Sequence, residues 1–204
     1  DYRNGCYGLK CFQINFGLFV KHHIDNSTTF FLRDLEVDDA EILAQNANNP
    51  LIACNLTNAF PHPYGLEDAQ RFISMARSFD PSRIFTIDIN GLASGGIGIH
   101  PQSDIMCKNA ELGYWLAEPW WSKGIISVLI PEIIRYGFEN FDIDRIYARP
   151  FGSNLASQKV LIKTGFVLEA HIKENIFKWD RVEDELIFGF RRSYLKPDIS
   201  TYSA

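Results

Sequence analysis

The chain has 204 residues, enough for one domain with a sizeable core, and its 46% hydrophobic and 22% charged residues suit a globular protein. A net charge of -5 and a pI near 5.5 exclude the basic field of a general nucleic-acid binder and mildly favour a cationic partner such as an amine. No apolar run approaches the ~18 residues of a membrane span, no signal-peptide order opens the chain, and the scattered Cys6, Cys11, Cys54 and Cys107 read as reduced thiols of a cytoplasmic protein.

Residues 1–27 are aromatic-rich without a clean period, and within them Phe16–Ile24 suits a strand. Thr29–Leu35 reads as a strand. Asp38 or Asp39 then caps a helix through Ile42, Leu43 and Ala47. Asn48-Asn49-Pro50 ends it, because a residue before proline is pushed out of the helical region. Phe60-Pro61-His62-Pro63-Tyr64-Gly65 is irregular, and Leu66–Phe79 places Ala69, Phe72, Ile73 and Ala76 on one helical face. Ile84–Ile89 and Leu92–Ile99 form a hairpin, since Asn90-Gly91 supplies the two positive-φ positions of a type I′ turn. Gly95-Gly96-Ile97-Gly98 belongs to that hairpin and is not a phosphate loop, because no helix follows it. Ala110–Leu116 is an apolar central strand, and Gly124–Asn140 is a long apolar helix that Pro131 should kink. Asp144–Ala148 is a strand, Asn154–Thr164 a helix and Val182–Arg191 a closing strand. The order is mixed α/β, with antiparallel hairpins and two late strand–helix units.

Chemistry concentrates in the strand 110–116, the turn Pro119-Trp120-Trp121-Ser122-Lys123-Gly124 and the helix that begins at once. A helix N-terminus presents unpaired N–H groups and partial positive charge, which suits a phosphate. Gly124 allows close approach to the backbone, Lys123 adds a full charge and Ser127 a hydroxyl. Many strand–turn–helix units carry Ser-Lys-Gly and bind nothing, so this segment alone leaves both readings open. His62, His100 and the pair His22-His23 lack partners at metal-ligand spacing.

Ala110-Glu111-Leu112-Gly113-Tyr114-Trp115-Leu116 followed by Ser122-Lys123-Gly124-Ile125-Ile126-Ser127 resembles the pyrophosphate-loop region of the GNAT acetyltransferases. The resemblance is to the RimJ/RimL-like branch, which acetylates N-termini of ribosomal proteins. Asn154-Leu155-Ala156-Ser157 and Lys163-Thr164-Gly165-Phe166 are similar to that branch's second motif, Asn-x-x-Ser followed by Gly-Phe, in the same order and at the same spacing. The likeness covers residues 28–192 and leaves 1–27 as an N-terminal extension and 193–204 as a tail. The loop departs from the usual Gln/Arg-x-x-Gly-x-Gly/Ala. Trp121 stands first and Ile126 last, so Gly124 alone keeps the signature.

The resemblance implies an α/β GNAT fold: a mixed, mostly antiparallel sheet, parallel only at two splayed central strands, 110–116 and 144–148, with helices on both faces. It implies acetyl-CoA as co-substrate and no metal. The pyrophosphate would lie over residues 122–127 (Ser122, Lys123, Gly124, Ile125, Ile126 and Ser127), with the pantetheine against backbone groups near Leu116 and Asn154 on the cofactor arm. The implied reaction is direct attack of a primary amine on the thioester. Ser157 is then the donor to the departing thiolate, or else it caps or packs its helix. Glu111 is the candidate base, acting through water, or else a structural carboxylate paired with a cation. The branch's second glutamate aligns with Ile176; Glu174 shares that face if the segment is extended and is the reserve candidate. Tyr64 and its proline loop take the position that lines the acceptor pocket, and Asp184 falls where relatives carry an acidic residue. A loop packed for its own sake and a solvated edge charge are the competing readings. The acceptor implied is a protein N-terminal amine ahead of a polyamine, an aminoglycoside or an amino-acid-like amine. An acyl-CoA-binding module without turnover is the rival from another class. Homodimers are common among relatives.

Overall fold

The computed structural model describes residues 19–195. The chain forms β1 (His22–His23), β2 (Thr29–Arg33), α1 (Ala40–Ala47), α2 (Pro50–Ala53), α3 (Leu66–Arg77), β3 (Ile84–Ile89) and β4 (Leu92–Pro101). It continues through β5 (Asn109–Leu116), α4 (Ile125–Asn140), β6 (Arg145–Ala148), α5 (Leu155–Lys163), β7 (Val167–Lys178) and β8 (Arg181–Arg191). The strands make one eight-stranded sheet in the order β1-β2-β3-β4-β5-β6-β8-β7. Every adjacent pair is antiparallel except β5 with β6, which is parallel. The mixed sheet with one parallel central pair is the expected architecture.

Two cores lie on the two faces. On one, α4 and Leu161 of α5 pack on Ile97, Ile99, Leu112, Ile146 and Phe188; on the other, α1 and α3 enclose Leu43, Ala47, Tyr64, Ala69 and Ile73. β5 shows why both faces fill: Leu112 and Leu116 enter the α4 core while Trp115 packs against the other, as alternation along a strand requires. The front and middle of α4 are almost wholly apolar. Ile125, Leu129, Ile130 and Ile133 are fully buried, each worth ~1.5–3 kcal/mol relative to exposure. Its solvent stripe is Val128, Pro131, Arg135 and Glu139. α4 runs without interruption through Pro131, because the missing amide falls on the wet side, where water can serve the carbonyl of Ser127.

The hairpin turn is as expected, with Asn90 at φ 54° and Gly91 at φ 85°. Other boundaries shift. The strand expected over Phe16–Ile24 is seen only at His22–His23, and residues 16–18 lie outside the described residues. Pro50 ends α1 but also opens α2, with the Asn49 side-chain oxygen accepting from the Leu51 amide at 2.8 Å. No helix among the described residues is long and apolar enough to cross a membrane.

Candidate active site

β5 and β6 are paired only at Asn109–Arg145, Ala110–Ile146 and Glu111–Tyr147. Beyond Glu111, β5 keeps β4 as far as Leu116–Gly95 but has no strand on its other side. β6 instead follows β8: Leu186 N–H donates to the Pro150 carbonyl at 3.1 Å and Gly152 N–H to the Asp184 carbonyl at 2.8 Å. The two strands part into a V. Lys108 accepts from the Arg145 amide on the β6 side (3.2 Å), and Ala117 N–H donates to Ser94 on the β4 side (2.8 Å). Alternation therefore turns the backbone groups of Leu112, Tyr114 and Leu116 into the opening. The Leu116 carbonyl is already used, accepting from the Trp121 indole N–H at 2.7 Å. That bond gives Trp121 the work of tying the turn to the strand end and leaves the Leu116 carbonyl one lone pair.

The turn delivers the chain to α4 through two left-handed residues, Ser122 (φ 60°) and Gly124 (φ 78°). Gly124 is the N-cap, no side chain caps the helix, and the first amide bonded back is Val128, to Gly124 at 3.2 Å. The amides of Ile125, Ile126 and Ser127 precede that bond and point out of the helix front. Ile125 and Ile126 bury their side chains, while Ser122, Lys123 and Gly124 are exposed. Lys123 holds its ammonium over the Trp120 ring, 5.5 Å from the centroid, so its charge stays beside the helix front.

Ser157 lies in the first turn of α5. Asn154 caps that helix, its side-chain oxygen accepting from the Ser157 amide at 3.1 Å. Across the V, the Tyr114 hydroxyl meets Ser157 Oγ at 2.8 Å. Burial pushes the Tyr114 phenol up to about 12, against the bond to Ser157, which works the other way.

Glu111 projects from the opposite face of β5, since it is out of phase with Leu112 and Tyr114. There Arg149 lies 3.2 Å from Glu111 Oε1 and 3.2 Å from the buried Glu185, and Asn175 donates to Glu185 at 2.5 Å. One guanidinium is thus shared by two carboxylates. His100 stands opposite Glu111 in the β4–β5 register; burial lowers its imidazole, Glu111 opposes this and Arg83 adds to it. A Cβ placed on Gly113 would sit 3.8 Å from His100 Nε2, so the imidazole lies beside Gly113.

Three further expected residues, Glu174, Asp184 and Tyr64, make contacts of their own. Glu174 is exposed, at φ 53°, inside a bulge where residues 173–175 face Asp184 alone, between the pairs Ile172–Glu185 and Ile176–Glu183. The segment is not extended there, so the shared face with Ile176 does not hold. Asp184 organises that bulge: it accepts from the Glu174 amide at 3.0 Å and pairs with His171 at 2.5 Å, contacts that hold its carboxyl below the usual range. Tyr64 is buried in the α1–α3 core with its ring 4.8 Å from that of Phe60, and burial followed by the charge of Asp68 pushes its phenol up to about 12. The half-buried Phe60 and the exposed His62, with Trp179 beside His62 at 5.8 Å and Lys178 donating to Asn58 at 3.0 Å, form the wall of that side.

Residues 29–167, more than half of the chain, match the family described as the acetyltransferase (GNAT) domain. The chain belongs to the GNAT family. Among its GNAT relatives, an uncharacterized N-acetyltransferase, YoaA, of Bacillus subtilis is 32% identical over 84 residues, 41% of this chain and 47% of that protein. The ribosomal-protein-serine acetyltransferase of Escherichia coli is 32% identical over 82 residues, 40% of this chain and 46% of its own length. The chain thus spans about half the length of these relatives. The structure of Mycobacterium smegmatis RimJ in complex with CoA-disulfide superposes with a TM-score of 0.72 at 20% identity, over 83% of this chain and 85% of that one.

The GNAT chain brings Ser122–Ser127, the free edge of β5, Asn154 and Ser157 to one opening. A thioester co-substrate with a diphosphate and two amides fits this set: uncapped amides for the diphosphate, free strand groups for the amides. Tyr114, His100, Arg149 and Glu185 had no assigned role in the sequence reading. For Tyr114 a signal existed, since it shares parity with Leu112 and Leu116 and so faces the same side as α5.

Proposed function

We propose that this GNAT protein transfers the acetyl group of acetyl-CoA to a primary amine, and that the acceptor is a protein N-terminal α-amine. The observation that carries the reading is the stretch of β5 beyond Glu111, which has no partner strand and leads straight to the uncapped front of α4. Acetyl-CoA is the second substrate and supplies a thioester already activated toward amines. Ser122–Ser127 hold its diphosphate, and the Leu112 and Tyr114 backbone takes its amides. The amine enters from the Glu111 face, and nitrogen attacks the carbonyl carbon through the gap between the strands. Holding both groups there converts a bimolecular encounter into a positioned one. Glu111 receives the amine's proton through water, and Ser157 donates a hydrogen bond to the sulfur as the C–S bond breaks.

The relative named a ribosomal-protein-serine acetyltransferase favours a protein acceptor. So does the charge arrangement. A small polycation needs several free, convergent carboxylates, whereas Glu111 and Glu185 are both tied to Arg149. Titration calorimetry with CoA, followed by thiol-release assays on peptides with Ser, Ala or Met N-termini and on spermidine and an aminoglycoside, tests both parts. Heat with CoA and release only with peptides is expected. No heat removes the CoA site, and release only with small amines removes the protein acceptor.

A further inference from the structure

Tyr114 and Ser157 come from different elements, 43 residues apart in sequence, and meet at 2.8 Å across the opening between β5 and α5. Two hydroxyls in such a pair share one proton, so one O–H is left to point elsewhere. A phenol is a stronger acid than an aliphatic alcohol and is the better donor of the two. The Ser157 main chain is also fixed from the other side, by the Asn154 cap at 3.1 Å.

Resting on the acetyl-transfer reading above, we propose that Tyr114 is the positioning residue of the leaving-group donor. Its hydroxyl donates to Ser157 Oγ, which turns the serine proton toward the co-substrate's sulfur. Donation into Ser157 polarises its own O–H in the same direction, so the outgoing hydrogen bond strengthens. With its phenol at about 12, Tyr114 keeps its proton wherever an amine acceptor reacts, and acts as a fixed donor and not as an acid. In the step it serves, nitrogen bonds to the carbonyl carbon and the C–S bond breaks. Sulfur takes the electron pair and accepts the Ser157 hydrogen bond. The surplus amine proton leaves on the Glu111 side, and the thiolate is protonated by solvent after release. Neither hydroxyl is consumed.

The test is a cycle of Tyr114→Phe, Ser157→Ala and the double variant, read as kcat, KM for acetyl-CoA and calorimetric CoA affinity. Tyr114→Phe keeps the ring and removes one hydrogen bond, so kcat falls about 10-fold while KM and CoA affinity stay within about twofold. Because Tyr114 works through Ser157, the double variant is no slower than Ser157→Ala alone. Full kcat in Tyr114→Phe, losses that multiply in the double variant, or a fall in CoA affinity matching the fall in kcat each overturn the assignment. A wild-type protein that binds CoA yet acetylates none of the amines overturns the reading beneath it, and an active wild type with an unaltered Tyr114→Phe overturns the role of Tyr114 alone.

Discussion

Gly124→Ala isolates the contribution of backbone conformation at the front of α4. Gly124 sits at φ 78° and ψ 0°, and no atom lies within 4 Å of where an added Cβ would be. The methyl therefore meets no clash, and the whole cost is conformational. An L-residue in the left-handed region costs ~1–2 kcal/mol, and the stiffer unfolded chain returns ~0.4–1 kcal/mol of that. The net loss is about 1 kcal/mol, or roughly 2–4 °C in Tm for a domain of this size. Gly124→Asn recovers much of it, because asparagine tolerates this region. Thermal unfolding followed by circular dichroism reads the effect, with and without CoA. At 100 times its Kd, CoA stabilises the wild type by ~2.7 kcal/mol, and this increment shrinks in Gly124→Ala if the first turn shifts to relieve strain. A variant that melts at or above the wild type refutes the strain argument. An undiminished CoA increment shows that the first turn keeps its place and absorbs the strain at residue 124 alone.

Three further outcomes follow from the ion pairs and titrating groups. Arg33 joins Asp39 at 2.7 and 2.8 Å and Asp88 at 2.7 Å; Arg33→Ala leaves both buried carboxylates uncompensated and costs ~3–5 kcal/mol by urea denaturation, and a loss under ~1 kcal/mol contradicts it. His100 is held below its ordinary value chiefly by burial, so the native state binds fewer protons there than the unfolded chain. Stability from this site is then lost as pH falls through the ordinary histidine range near ~6.5, and the advantage of wild type over His100→Gln narrows from pH ~7.5 to ~5; parallel pH profiles sink the argument. Glu111→Gln lowers kcat/KM by about 10²-fold with CoA affinity unchanged if the carboxylate is the base, whereas a change under about threefold leaves it as a partner of Arg149.

Local chemistry made much of this molecule legible. Asn90-Gly91 demands positive φ twice, and only a hairpin uses it; the apolar run of α4 and the strand before it could be read without the rest of the chain. β7 was not read as an element because its signal is missing. It is the edge strand beside β8, with Val167, Leu168, Ile172 and Phe177 all exposed, so neither face shows the alternation that a half-buried strand imprints. Glu174 was placed on a face by counting in twos, and the count fails where Asp184 holds a left-handed residue in a bulge. The bond from Trp121 to the Leu116 carbonyl and the pairing of Arg149 with two glutamates are meetings between segments. No spacing rule encodes them, although the parity of Tyr114 did point to its side of the sheet.

Because β5 is a single layer thick, its alternating side chains separate two environments. Tyr114 meets Ser157 on one surface, while Glu111 meets Arg149 on the other. The hydroxyl pair and the ion pair stand back to back, kept apart by the thickness of one strand.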